Sequence, residues 1–470
     1  MKKSMTLLLS LIFVSSALLA GCGGNNNNTS TTNGEGNKTG TNTVEATNAP
    51  ATEEPVSAEP FEMTIRHTQV GADKQKRLAI LEDVVKKVEG EVPGLTFKLD
   101  GVESDVNRKE KLRGEMAAGN PPQVFDLFGS PDSKIYAKEN KLLDLTPILE
   151  ELGIKDKFSN LDPFTYEGKI YGLPIGGSGE GFFYNKEYYN SKGWKAPTTF
   201  AELEQQLADI KADGKVPLAA ASKAGWVPLM LANHLWSRYA GPEVTAKFAT
   251  GEAKWTDPQV VAGFAKYKDW EDKGYFKKGE LGFEYAEYTT QFTSGEAILL
   301  YDGTWKSSVF KPGQSGEGLI GKVGFFNIPP VEGGVGDQTS LMRDVNNGYG
   351  FSAAVANDPR QLAAVKSFIK NLFNEEMQLR GLVEDGVLPA MKIDQNVLNQ
   401  NITDDLMSEI VAVLNNSQSS FPAFDSLVQA DVTTEISNIQ IQKLIGGQTT
   451  PEKMGEALQK VQEEANAAVE

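Results

Sequence analysis

GKIYGLPIGGSGEGFFYNKEYYNSKGWKAPTTF, residues 168–200, decides how this chain is divided. KIYGLPI reads as a strand, FFYN as a second apolar strand, and the loop that follows leads into a helix capped at Thr199. Between the strands, Gly176, Gly177, Gly179 and Gly181 surround Ser178 and Glu180. Glycine there permits backbone angles closed to other residues and lets a ligand or a second domain approach the main chain. As a local pattern this is a glycine-rich hairpin. Strand-forming segments lie both before and after it, so it reads as a passage between two units.

Upstream, FEMTIRHT (61–68) alternates as an opening strand. Leu78, Leu81, Val84, Val85 and Val88 then form one helical face. A strand at 95–99, a helix near 109–118 and a strand at 124–128 complete a β-α-β-α-β run, the pattern of parallel α/β winding. Ligands of such sheets meet the loops at the carboxyl ends of the strands. Those loops offer Gln69, Asp126 and Ser130 as candidates, although each also suits a turn or helix cap. His67 and His234 are the only histidines, which argues against a histidine metal site.

Downstream, Thr199-Phe200-Ala201-Glu202 is a capping box, and Phe200, Leu203, Leu207 and Ile210 mark a buried stripe. A strand at 216–221 leads to Trp226 and a helix carrying Trp236. The apolar strand 297–301 ends in Asp302-Gly303-Thr304-Trp305. An aromatic face at a sheet's ligand edge suits sugar rings, whose C–H surfaces stack while polar side chains take the hydroxyls. DVNNGYGFSAAV (344–355) is again glycine followed by strand, and Asp358-Pro359 starts a long helix. Residues 401–414 are amphipathic, SQSSFPAFD (417–425) is a polar-aromatic loop, and Thr450-Pro451 caps a final helix.

The chain opens differently. Lys2 and Lys3, the apolar run 5–20 and Leu19-Ala20-Gly21-Cys22 form a targeting segment. The last four residues resemble the bacterial lipobox, which implies a lipid on Cys22. Cys22 is the only cysteine, so no internal disulfide forms. Residues 23–59 hold too few large apolar side chains to offset ordering entropy and read as a disordered tether, on the order of 30–35 Å as a coil. A tether of that length suits the outer face of a Gram-positive-type cell membrane. The 470 residues exceed one core, and a net charge of −17 argues against nucleic acid as partner.

The order KIYGLPI, FFYNKEYY, GWKAPTTFAEL, FTSGEAILLYDGTW, NIPPVEGG, NNGYGFSA, GVLPA and LIGGQTTPEKMGEALQKVQEEA resembles the sugar-type extracellular solute-binding proteins of ABC importers, relatives of maltodextrin-binding protein. The resemblance implies an α/β, two-lobe periplasmic-binding-protein-like fold with an interlobe ligand cleft. Lobe one would be 60–175 plus 348–405, and lobe two 180–343 plus 409–470. Crossings would fall near Leu173–Gly181, Arg343–Gly350 and Asn401–Ser408. By position, Trp305 matches the stacking residue of the family's Gly-x-Trp element. Trp226 and the loop carrying Phe424 and Asp425 fall near other contacts, and Ser178 or Glu180 falls at a hinge contact. Asp126, Asp302, Asn347 and Gln69 would bond sugar hydroxyls.

The implied function is capture of a mono- or oligosaccharide and its delivery to ABC permease subunits, as a monomer needing no cofactor and catalysing nothing. Two alternatives remain open. One is the same fold holding a peptide, polyamine or oxyanion; the other is an exported carbohydrate-active enzyme. GxSxG, HExxH and GxxxxGK[ST] are absent, and the glycine-rich segment precedes a strand, unlike a dinucleotide fingerprint.

Overall fold

Residues 59–468 are described by a computed structural model of the chain. The leader, Cys22 and the tether up to residue 58 lie outside the described residues. In chain order the strands are β1 (Phe61–His67), β2 (Leu95–Gly101), β3 (Val124–Phe128), β4 (Thr165–Tyr166), β5 (Lys169–Ile170), β6 (Gly172–Pro174) and β7 (Ser178–Asn185). They continue as β8 (Val216–Leu218), β9 (Ala297–Gly303), β10 (Val323–Phe326), β11 (Leu341–Asp344), β12 (Asn347–Phe351) and β13 (Ser420–Phe421).

β1 lies between β2 and β3, parallel to both, as β-α-β winding requires. The intervening helix Gln75–Glu91 packs Leu81, Val84, Val85 and Val88 into the core of this sheet, and Ile80 is buried as well. Leu78, expected in that stripe, is only half-buried. β12 then inserts antiparallel between β3 and β6, giving the order β2-β1-β3-β12-β6. KIYGLPI is therefore two short strands. Ile170 pairs back to Thr165, whereas Gly172–Pro174 joins the main sheet.

The second sheet has the order β13-β11-β7-β9-β8, with β10 also on β7. β7 is its spine, and it begins at Ser178, so the glycine-rich segment expected to turn is itself largely strand. Gly176, Gly177, Gly179 and Gly181 are not among the glycines with positive φ. At Gly176, Gly179 and Gly181 glycine is needed for proximity. A Cβ on Gly181 would stand 2.6 Å from Phe325 Cζ and 2.8 Å from the Phe326 carbonyl oxygen. Phe182 and Phe183 of β7 reach the larger core, where Trp236, Trp255, Phe264 and Trp270 are also buried. The final helix, Pro451–Ala467, closes that core: Gln462 accepts from Trp255 Nε1 at 3.1 Å.

Three stretches join the sheets. The chain leaves β6 at Pro174 and enters β7 at Ser178; it leaves β11 at Asp344 and enters β12 at Asn347. The third stretch lies earlier than the expected Asn401–Ser408. Met391 still bridges to Phe158, and Lys392 N–H still donates to the Lys157 carbonyl, beside the first sheet. Leu398 and Ile402 already pack against the larger core. The helix Asp405–Asn416 follows it there, with Glu409 accepting from the Phe325 N–H of β10 at 3.1 Å. Burial of those apolar side chains sets the boundary.

Candidate functional site

A cavity of about 820 Å³ lies between the two sheets, at the upper end of the range usual for small-molecule sites. Its lining includes Gln69, Asp126, Ser130, Ser178, Glu180, Trp226, Trp305, Asn347, Phe424 and Asp425. Gln69 and Ser130 follow the carboxyl ends of the parallel strands β1 and β3, and Asp126 lies in the middle of β3. Asp302 is not in this lining.

Asp126 is buried and has its oxygens occupied. Oδ1 accepts from Arg108 Nε at 2.8 Å and Asn107 Nδ2 at 3.2 Å; Oδ2 accepts from Arg108 Nη2 at 2.9 Å and Thr68 Oγ1 at 3.2 Å. The expected hydroxyl acceptor is thus the anchor of a guanidinium. Arg108 also donates to Asn347 Oδ1 at 2.8 Å and lies 4.9 Å from the Phe128 ring centroid. It sits on a π-helical turn, Val106–Lys111, a local widening often found at functional sites. Gln69 is buried, and its Oε1 has no protein partner. Ser130 leads the helix Pro131–Lys138 and donates its N–H to Ser133 Oγ at 3.2 Å.

The second sheet supplies the aromatic wall. Trp305 Nε1 donates to the Tyr285 hydroxyl at 2.9 Å, and the Trp226 and Tyr285 ring centroids are 4.8 Å apart. Asp302 stands behind this wall with no exposed surface. Its carboxylate takes the Tyr285 hydroxyl, at 3.0 and 2.9 Å, and the Gly303 N–H at 2.8 Å. Lys306 is its buried counter-ion at 3.6 Å. Asp302 was expected to meet ligand hydroxyls; the side chain at that point of β9 instead turns inward and holds Tyr285. Gly303 is required by the same packing, because a Cβ there would lie 2.0 Å from Trp305 Cζ3.

Three acids complete the cavity. Glu180 is 5% exposed, and its Oε2 lacks a partner. Burial pushes its carboxyl well above the usual range, and Asp344, Asp302 and Asp425 add to the effect. Asp344 accepts from Ser178 Oγ at 3.1 Å and is likewise pushed up by burial. Asp425 is pushed up to about 6, by burial first and then by Asp344. Phe424 beside it is buried, donating its N–H to Asn233 Oδ1 at 2.9 Å. Sequence reasoning missed Arg108, Tyr285 and Asp344. The glycine-rich run after Asp344 was the nearest available signal; Tyr285 had none.

The sequence profile of the bacterial extracellular solute-binding proteins matches residues 71–379. The chain belongs to that family. Its fold is the two-lobe fold of the family's binding proteins, whose place of work is outside the cytoplasm. A solved chitin oligosaccharide binding protein is 43% identical, with a TM-score of 0.80 over 87% of this chain and 100% of that one. The multiple sugar-binding protein of Streptococcus mutans is 23% identical over 51% of this chain and 57% of its own length. The maltooligosaccharide ABC transporter solute-binding lipoprotein of Streptococcus pneumoniae is 25% identical over 66% of this chain and 69% of its own length. The chain spans about half the length of several curated relatives it matches, 57% and 53% in two of them. These relatives are binding proteins.

Proposed function

We propose that this solute-binding protein captures an oligosaccharide of the chitin series in its cleft and delivers it to the membrane subunits of an ABC importer. The observation that carries this reading is the pairing of the aromatic wall, Trp226, Tyr285 and Trp305, with polar groups in one cavity. Sugar rings need that combination: a flat apolar surface for C–H faces and hydrogen-bonding groups at the edges. The 43% identical chitin oligosaccharide binder supports the series. Ligand would favour the closed arrangement of the lobes only through its higher affinity for it.

In this reading the protein works as a monomer, tethered by lipid on Cys22 to the outer face of the membrane, and releases its ligand chemically unchanged. Titration calorimetry with chito-, malto- and xylo-oligosaccharides tests it. Saturable one-to-one binding of a chito-oligosaccharide, recovered intact, is expected. Heat from a polyamine or peptide with none from any sugar would replace the ligand class, and a shortened sugar on recovery would make the protein an enzyme.

A further inference from the structure

The cations around the cavity are already engaged. Arg77 meets Asp385 at 2.7 Å, Arg108 meets Asp126 at 2.8 Å, Lys109 meets Asp105 at 3.2 Å and Arg113 meets Asp132 at 2.7 Å. Lys74 donates to the Thr68 carbonyl at 3.2 Å. Glu180, Asp344 and Asp425 remain, and among the described residues none of the three forms an ion pair. They arrive from separate segments, on β7, at the end of β11 and in the loop after β13, yet all line this one cavity. Glu180 Oε2 and Asp425 Oδ1 have no hydrogen-bond partner. The buried Glu180 thus brings an unpartnered acceptor to the lining of this cavity.

Three like charges sharing a poorly solvated space repel one another, and each loses hydration. A neutral sugar relieves little of this, since hydroxyls satisfy lone pairs but leave the charge uncompensated. An ammonium group does both. It carries one positive charge and three N–H donors, and it can meet several carboxylates at once through charge-assisted bonds. The neighbouring indoles would stack the ring that bears it, and an aromatic face also attracts a cation.

We propose that the cleft selects sugars bearing a free, protonated amine, a glucosamine-containing oligosaccharide, and seats the ammonium among Glu180, Asp344 and Asp425. This rests on the reading of the cleft as a sugar site. It divides the chitin series: deacetylated rings are favoured over N-acetylated ones. Burial is the main cause that raises the proton affinity of all three carboxyls; like charge adds to it at Glu180 and Asp425, against the opposing pull of Arg108 on Asp344 and Asp425.

The test is calorimetry of the mature chain with glucosamine and N-acetylglucosamine oligomers of equal length, at a pH where the amine is protonated and at two salt concentrations. The deacetylated oligomer is expected to bind at least ~10-fold tighter, with the advantage shrinking in high salt. Glu180→Gln should reduce that preference by about 10-fold. Asp425→Asn, at a partly exposed position, serves if Glu180→Gln fails to fold, and thermal melts establish folding for both. Equal or tighter binding of the N-acetylated oligomer overturns the proposal and leaves the sugar reading standing. Binding of neither oligomer overturns both.

Discussion

The indole Nε1 of Trp305 and the hydroxyl of Tyr285 are joined at 2.9 Å, and that hydroxyl donates onward to buried Asp302. One face of the cleft is therefore oriented from beneath by a buried carboxylate that is not part of the cavity lining. Tyr285→Phe breaks both bonds and leaves the Asp302 oxygens short of a donor. Stability should fall by about 1–3 kcal/mol in urea titrations, the usual effect of an unsatisfied buried acceptor. Affinity should fall about 10-fold as the indole loses its fixed orientation.

Gly303→Ala probes the same wall from the other side. The new methyl group would lie 2.0 Å from Trp305 Cζ3, 2.1 Å from Cη2 and 2.3 Å from Cε3, so the indole must move. Ligand affinity should fall by ~10-fold or more, with a changed tryptophan emission maximum in the free protein. Unaltered emission and affinity would mean that ring placement is not set by this contact.

The passage between β6 and β7 separates two neighbouring glycines. A Cβ on Gly176 would stand 2.1 Å from Val387 Cγ1, whereas on Gly177 the nearest atom is 3.5 Å away. Gly177→Ala should therefore be tolerated and Gly176→Ala should destabilise by about 1–3 kcal/mol. Gly177→Pro removes the 2.6 Å bond from its N–H to the Leu388 carbonyl. It should weaken ligand-induced compaction in solution scattering while each lobe stays folded.

Acidity should act on the empty protein through Asp425. Burial first, and then Asp344, pushes its folded-state carboxyl up to about 6 from the ordinary value of 3.8, with Arg108 and Lys109 opposing. The folded state thus holds this proton more tightly than the unfolded chain. Stability falls as pH rises from about 4 through about 6, and the whole contribution is gone above that. Asp425→Asn should flatten this dependence and raise stability at pH 7 by ~1–2 kcal/mol, a value reduced because the side chain is partly open to cavity water. Urea titrations between about pH 4 and pH 7 measure it. Burial of Glu180 and Asp344 acts with the same sign.

Cys22→Ala should release the protein into the medium and abolish incorporation of labelled palmitate. Retention of the variant at the membrane would remove lipid as the anchor.

The fold class was legible because its signals are local: alternation in FEMTIRHT, a helical stripe through Val84 and Val88, and Pro at the first positions of capped helices. Trp305 and Glu180 were legible as candidates by their position beside a strand and a glycine run. Arg108 was not. Its partners lie 18 residues away at Asp126 and 239 residues away at Asn347, and no periodicity reports a pair at such separations. Asp344 meets Ser178 across 166 residues.

Residue types along the chain determined which segments fold and which meet at a sheet edge, because burial pattern and capping are properties of neighbours in sequence. Whether a carboxylate faces the cleft was decided only in three dimensions. Asp126 and Asp302 lie on strands as Glu180 does, yet the first is consumed by Arg108 and the second by Tyr285 and Lys306. Glu180 differs because no donor from another segment reaches its Oε2, and only tertiary packing chooses which lone pairs are left over.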